Sequence, residues 1–188
     1  MRLRHAIKKL GIAIVTAFTA GALSGCARKT GIEDNVHESK YSVPFPLQQG
    51  GEQLDFLVRI KDMDRAYQFN LVLVEPTDWH EDRKDRLRLI YDGFRFGDDE
   101  TMEYPIKLRI RIDSVGEGQN SPIHLDHEMT ERSPLYGQKM GNTIWRVLSV
   151  YASRFQPGIY RVRVDNLAPA PQLDFETRFL FERDNRKY

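Results

Sequence analysis

The sequence predicts an all-β fold, a two-sheet antiparallel β-sandwich of seven to eight strands with one short inserted helix. Three observations predict it. Apolar and polar residues alternate with period two over many short stretches, the pattern of strands with one face on a core and one in water. Turn signals rich in proline, glycine and charge separate those stretches. Only residues 78–91 (DWHEDRKDRLRLIY) break the pattern, with no Gly or Pro and few β-branched residues.

Taken in order, the first alternating run is Tyr41, Val43, Phe45 and Leu47. Pro44 and Pro46 remove two ladder donors there, which predicts an edge strand. Leu54, Phe56, Val58 and Ile60 follow, then Tyr67, Phe69, Leu71 and Leu73, with residues 61–65 (KDMDR) as a hairpin turn between them. In the helical stretch, Asp78 and Glu81 have capping-box spacing, and Gly93 is a candidate stop. Asp82 and Arg86 are spaced as an i,i+4 pair. Trp79, Arg83, Leu87 and Ile90 fall on one helical stripe, and residues 93–103 (GFRFGDDETME) read as a long loop after it.

The clearest strand is 106–112, with Ile106, Leu108, Ile110 and Ile112 on one face and Lys107, Arg109 and Arg111 on the other. Ile123, Leu125 and Met129 mark a weak strand, and 143–155 a longer apolar one containing Trp145, expected in the core. Pro157 and Gly158 turn the chain into a run with Tyr160, Val162 and Val164 on one face. After Pro169 and Pro171, Leu173, Phe175, Phe179 and Phe181 share the last face. Seven or eight such strands fit two packed sheets.

The N-terminal residues follow a different logic. Residues 1–10 carry Arg2, Arg4, Lys8 and Lys9 and no acid, and residues 11–23 (GIAIVTAFTAGAL) are uncharged. A cationic segment before a short apolar one is the layout of a secretory signal, and the apolar part falls short of the ~20 residues a spanning helix needs. Leu23-Ser24-Gly25-Cys26 resembles a bacterial lipobox, which implies cleavage between Gly25 and Cys26 and lipidation of Cys26. Acyl chains on Cys26 would anchor the chain stably to a membrane. Ala27 in place of Asp points, by resemblance to the usual sorting rule, to the outer membrane. The expected organisation is a signal peptide over 1–25, a flexible tether over 26–40 (polar after Cys26) and a sandwich domain over 41–188.

Charge and cysteine content narrow the function. The chain has 28 Lys and Arg against 27 Asp and Glu. Loss of Arg2, Arg4, Lys8 and Lys9 with the signal leaves 24 cations against 27 acids, a net charge near −3. No strongly basic face speaks for nucleic acid. Cys26 is the single cysteine, so the fold rests on its core rather than on disulfides.

No catalytic constellation emerges, and a non-enzyme is expected. The sequence has no Gly-x-Ser-x-Gly elbow, phosphate loop or dinucleotide fingerprint. His124-Leu125-Asp126-His127 is the nearest approach to a metal site. On a strand, however, His124 and Asp126 share one face while His127 takes the other, so neither a metal nor another cofactor is expected. Carboxylates alternate with Arg and Lys, and Asp174 and Glu176 are expected to pair with Arg161 and Arg163 across a hairpin. Trp79, Arg83, Phe94 and Phe96, on or beside the helix among charged residues, have the composition of a protein interface.

Four segments carry a resemblance. Ser42-Val43-Pro44-Phe45, Tyr67-x-Phe69-x-Leu71, residues 88–93 (RLIYDG) and Pro157-Gly158-x-Tyr160-Arg161-Val162-x-Val164 together resemble a bacterial lipoprotein family known as domain of unknown function 5625, over most of residues 41–182. The resemblance implies an immunoglobulin-like sandwich. It also implies a role like that of immunity lipoproteins, which neutralise type VI secretion lipase effectors, with a secreted effector as partner and no catalytic residue. The competing expectations are an envelope module for carbohydrate or lipid, favoured by an aromatic-lined groove, and a structural assembly lipoprotein, favoured by a flat apolar patch.

Overall fold

The structure, a computed structural model, describes residues 29–91, 104–115, 124–130 and 135–184. Gly25, Cys26, Phe94 and Phe96 lie outside these residues. Ten strands and one helix are arranged as β1 (Lys29–His37), β2 (Lys40–Pro44), β3 (Gln53–Ile60), β4 (Tyr67–Pro76), α1 (Glu81–Tyr91), β5 (Leu108–Val115), β6 (His124–Met129), β7 (Leu135–Met140), β8 (Thr143–Ser153), β9 (Gly158–Asn166) and β10 (Thr177–Arg183). They form two five-stranded sheets, here called A, in the order β1-β3-β9-β5-β6, and B, in the order β2-β10-β4-β8-β7. The all-β sandwich with one short helix is therefore the architecture.

Its connectivity departs from the immunoglobulin-like expectation. In immunoglobulin domains the first two strands share a sheet. Here β2 and β3 lie in opposite sheets, as do β3 and β4, β4 and β5, β8 and β9, and β9 and β10. Stripped of β1 and β7, the sheets β2-β10-β4-β8 and β3-β9-β5-β6 have the interleaved order of an eight-stranded jelly roll. Residues 61–65 accordingly form a corner between sheets rather than a hairpin, and the Tyr67 hydroxyl accepts the Lys61 and Asp62 amides there at 3.3 and 3.4 Å.

Two strands exceed the expected seven or eight. β7 (LYGQKM) has a weak alternation and is held by its hairpin with β8. β1 occupies most of the stretch expected as a flexible tether. It pairs parallel with the edge of β3, with Lys29 opposite Gln53 and His37 opposite Val58. Its ladder shows two register shifts, so backbone pairing rather than side-chain period defines it.

The core follows the alternation. Leu54, Phe56, Val58 and Ile60 of β3, Leu108, Ile110 and Ile112 of β5, and Tyr160, Val162 and Val164 of β9 meet Tyr67, Phe69, Leu71 and Leu73 of β4 and Phe179 and Phe181 of β10. Phe69 packs edge-on to Phe155 and tilted against Phe181, with centroids 6.0 and 5.3 Å apart. Each such ring removes an apolar surface worth roughly 1.5–3 kcal/mol. At the end of β9, Asn166 Nδ2 donates to Leu47 O at 3.1 Å and Glu52 Oε2 at 2.8 Å, which secures the turn before β3. Gly50 in that turn has φ +77°, and a Cβ there would lie 2.8 Å from the Pro169 nitrogen, so glycine is required.

β4 is buried on both faces, because the outer side of sheet B carries a second apolar cluster, Val72, Val74, Val147 and Leu180. Trp145, expected in the main core, packs on this outer cluster instead. It lies opposite Val74, one residue out of phase with core-facing Leu148 and Leu71.

Candidate functional site

Three surfaces were candidates for chemistry: the helix end, the polar face of sheet A, and the outer face of sheet B. At the helix end, α1 begins at Glu81, with His80 O accepting the Arg83 and Lys84 amides at 3.0 and 3.2 Å. The cap thus falls two residues later than Asp78, the expected one. Leu87 is fully buried and seats the helix on the core. Trp79 and Ile90 pack beside it, as the stripe predicted. Trp79 stands edge-on to Phe175, centroids 5.8 Å apart, and the Arg83 guanidinium lies over the indole at 4.3 Å. Arg83 Nη2 also donates to Asp174 O at 3.1 Å. Trp79 and Arg83 are therefore brought together, in a shallow depression of about 630 Å³ edged by Pro76, Asp78, His80, Asp82 and Arg86.

The polar face of sheet A is a ladder of ion pairs. Arg161 grips Asp55 bidentately at 2.7 and 2.5 Å, Arg111 meets Asp165 at 2.6 Å, Arg109 holds Asp126, and Arg163 holds Asp113. The expected pairing of Arg161 and Arg163 with Asp174 and Glu176 does not occur, because β9 and β10 belong to different sheets. Asp174 faces Arg83 and Arg86 at 4.0 and 3.9 Å, and Glu176 pairs with Arg178 at 2.6 Å. Arg86 therefore turns to Asp174, while the short ion pairs within α1 join Lys84 to Glu81 and Arg88 to Asp85. The basic row of the clearest strand likewise has carboxylate partners at Arg109 and Arg111.

His124, Asp126 and His127 do not converge. His124 Nδ1 lies 2.5 Å from Asp113 Oδ1, Asp126 is held by Arg109, and His127 stands 5.5 Å from the Tyr151 ring on the other face. The ladder also sets pKa values. Burial pushes the Asp113 carboxyl up, but hydrogen bonds from His124 and Arg163 outweigh it and hold the group below its ordinary 3.8. Arg109 lowers Asp126 chiefly by its hydrogen bond.

A depressed carboxyl stabilises the fold fully above the unfolded pKa, and that contribution disappears as pH falls through the lower folded value. Asp113→Asn is therefore expected to cost about 1 kcal/mol at neutral pH and nearly nothing well below pH 3.8. Urea unfolding at the two pH values checks this; an equal cost at both would mean the charge is irrelevant.

The outer face of sheet B holds a groove of about 540 Å³, lined by Gln68, Tyr136, Gly137, Gln138, Glu182, Arg183 and Asp184. Tyr136 on β7 donates its hydroxyl to Glu182 Oε1 on β10 at 3.0 Å, although β8 and β4 lie between those strands. Likewise Lys40 on β2 sits over the Trp145 ring on β8 at 5.6 Å. Three strand spacings amount to about 14 Å, so sheet B curls and its outer face is concave. Sequence alternation marks Gln68, Asn70 and Glu182 only as the polar side of a strand; the curl that gathers them leaves no sequence signal.

The family model of the domain of unknown function (DUF5625) matches residues 42–182. The chain belongs to this family. Among solved structures, this DUF5625 chain is similar to a protein from Sulfurospirillum deleyianum, with 18% identity, 78% of this chain and 98% of that one covered, and a TM-score of 0.52. That likeness is one of fold. The pre-peptidase C-terminal domain of a collagenase from Bacillus anthracis aligns over 82% of this chain and 97% of its own, at 12% identity and a TM-score of 0.30, too low to carry anything over. No curated protein matches. Among the described residues of this family member, no helix is long and apolar enough to cross a membrane.

Proposed function

We propose that this chain is a non-catalytic binding protein, anchored through lipid on Cys26 to the periplasmic face of the outer membrane. In this reading it neutralises an exported lipase effector of type VI secretion. The observation that carries a binding role is the Arg83–Trp79 stack, a guanidinium 4.3 Å from an indole that is itself braced on the core. Trp and Arg anchors on a rigid support are the residues that dominate protein interfaces. Exposed Asp82 and Arg86 beside them supply charges that set partner choice.

The class of partner rests on the family resemblance. The anchor supports it physically, because a lipid on Cys26 would hold a binder at high effective concentration where a phospholipid-degrading toxin acts. Asp113 and Asp126 do not suit acid catalysis, since hydrogen bonds from their cationic partners hold both below the ordinary carboxyl value.

The test is phospholipid hydrolysis by the lipase effector of the same organism, titrated with the full chain in detergent. Hydrolysis is expected to stop near one equivalent, and Arg86→Glu to weaken inhibition by about tenfold, the effect of one lost interface charge. Thermal unfolding of that variant should be nearly unchanged, because the Arg86 side chain is 66% exposed. Hydrolysis that continues under excess of the chain would sink the effector reading.

A further inference from the structure

We propose that the sandwich stands end-on on the membrane, with residues 46–51 and 166–173 against the lipid headgroups and β1 as the strap that holds it there. The inference rests on the lipid anchor at Cys26 and adds an orientation to it. Its first support is where β1 begins. Lys29 stands opposite Gln53, Gln53 opposite Asp165, and Asp165 opposite Arg109. The chain therefore enters the fold at the end of sheet A where β3 and β5 start and β9 stops. From Cys26 to Lys29 is three residues, which reach roughly 10–11 Å when fully extended. Acyl chains on Cys26 would hold this end within about that distance of the headgroups.

The second support is the chemistry of the same end. Residues 46–51 (PLQQGG) and 166–173 (NLAPAPQL) carry no charge, in a chain of which 29% is charged. Leu167 is 44% exposed, and Pro46, Pro169 and Pro171 are exposed as well. The two loops are joined to each other and to sheet A. Ala170 N donates to Leu47 O at 2.8 Å, Gly51 N to Asn166 O at 2.9 Å, and Leu167 N to Lys107 O at 2.9 Å. Paired amides and prolines without an amide proton lose little when water is displaced from them. The far end of β3 is the opposite case. Residues 61–65 (KDMDR) are charged at every position but Met63, and Glu38 pairs there with Arg59 and Lys61.

A protein partner is the competing occupant of the uncharged end. It would have to enter a narrow gap beneath a domain strapped to the bilayer, whereas the bilayer already fills that gap. The orientation also places the helix. Pro171, Gln172 and Asp174 share a depression with Arg86 and Ile90, so α1 stands beside the same loops. The Trp79–Arg83 surface is thereby set close to lipid, where a lipase partner works.

The test uses the full lipidated chain in vesicles of phosphatidylethanolamine and phosphatidylglycerol that carry a nitroxide-headgroup lipid. Cys26 is the single cysteine, so with its thiol acylated a cysteine introduced elsewhere is the one site a bimane label takes. Leu167→Cys and Met63→Cys each replace an exposed side chain. The eight residues of β3 set the two ends about 25 Å apart, so the label at position 167 is expected to be quenched at least about threefold more than the one at position 63. A Gly-Ser insertion of about twelve residues after Arg28 is expected to bring the two values together, because it frees the strap from the anchor while leaving the sandwich intact. Equal quenching without the insertion, stronger quenching at position 63, or a contrast that the insertion leaves untouched would each overturn the proposal. Flotation and acylated mass report the anchor separately. A chain that neither floats nor gains acyl mass overturns the anchor and the orientation with it, whereas a floating chain without contrast overturns the orientation alone.

Discussion

Replacing Arg146 with Met is expected to lower the unfolding free energy by about 3–5 kcal/mol, the cost of leaving one member of a buried ion pair alone. Glu75 is 3% exposed at the end of β4, and Arg146 Nε donates to its Oε2 at 2.8 Å. Arg146 itself is less enclosed, its side chain 23% exposed, so the desolvation falls mainly on the carboxylate. Removing the cation strips Glu75 of its charge partner and leaves a carboxylate that is only 3% exposed. Guanidinium unfolding measures the loss. Glu75→Leu together with Arg146→Met is expected to recover more than half of it, because no charge then remains to be buried. A single variant that loses less than about 1 kcal/mol would mean that Glu75 behaves as a surface carboxylate.

How much of this was legible in the sequence depends on what a residue's neighbours are. Alternation in β3, β5, β9 and β10 reports which side of a strand faces the core, and Leu54 to Ile60, Leu108 to Ile112 and Phe179 to Phe181 point inward as it predicts. Pro157-Gly158 marks the entry to β9 for the same local reason, backbone preference. Pro44 correctly places β2 at a sheet edge, since a missing donor is tolerated there. What alternation does not encode is which strand lies alongside. Period-two spacing alone pairs Asp174 and Glu176 with Arg161 and Arg163, as in a β9–β10 hairpin, but the chain crosses between sheets. Arg161 instead finds Asp55, over a hundred positions earlier in the chain.

The same limit explains the site residues. Trp79 and Arg83 come together as their spacing predicts, because both belong to one helix and its approach, where spacing is a local property. The sheet B groove was missed because Gln68, Tyr136 and Glu182 come from three strands scattered through the sequence. β1 was missed for a further reason. Its partner is the bare edge of β3, and an edge offers backbone groups to almost any extended segment.

The helix supplies the second large effect. Leu87→Ala is expected to cost about 2–5 kcal/mol, the transfer term plus the cavity left behind. More of that cost should fall locally than usual. An 11-residue helix is marginal on its own in water, and the ion pairs Lys84–Glu81 and Arg88–Asp85 add only a few tenths each. Docking through Leu87 is then what keeps α1 formed, and α1 in turn holds Arg83 over Trp79. Hydrogen exchange separates the two levels: amides of α1 should exchange much faster in Leu87→Ala, while those of β4 and β9 stay protected. Leu87→Met, which preserves volume, should cost less than about 1.5 kcal/mol and retain slow exchange. If α1 amides in Leu87→Ala exchange only together with the sheet amides, the helix is an inseparable part of the sandwich, and the Arg83–Trp79 surface owes its geometry to the sheets rather than to this one side chain.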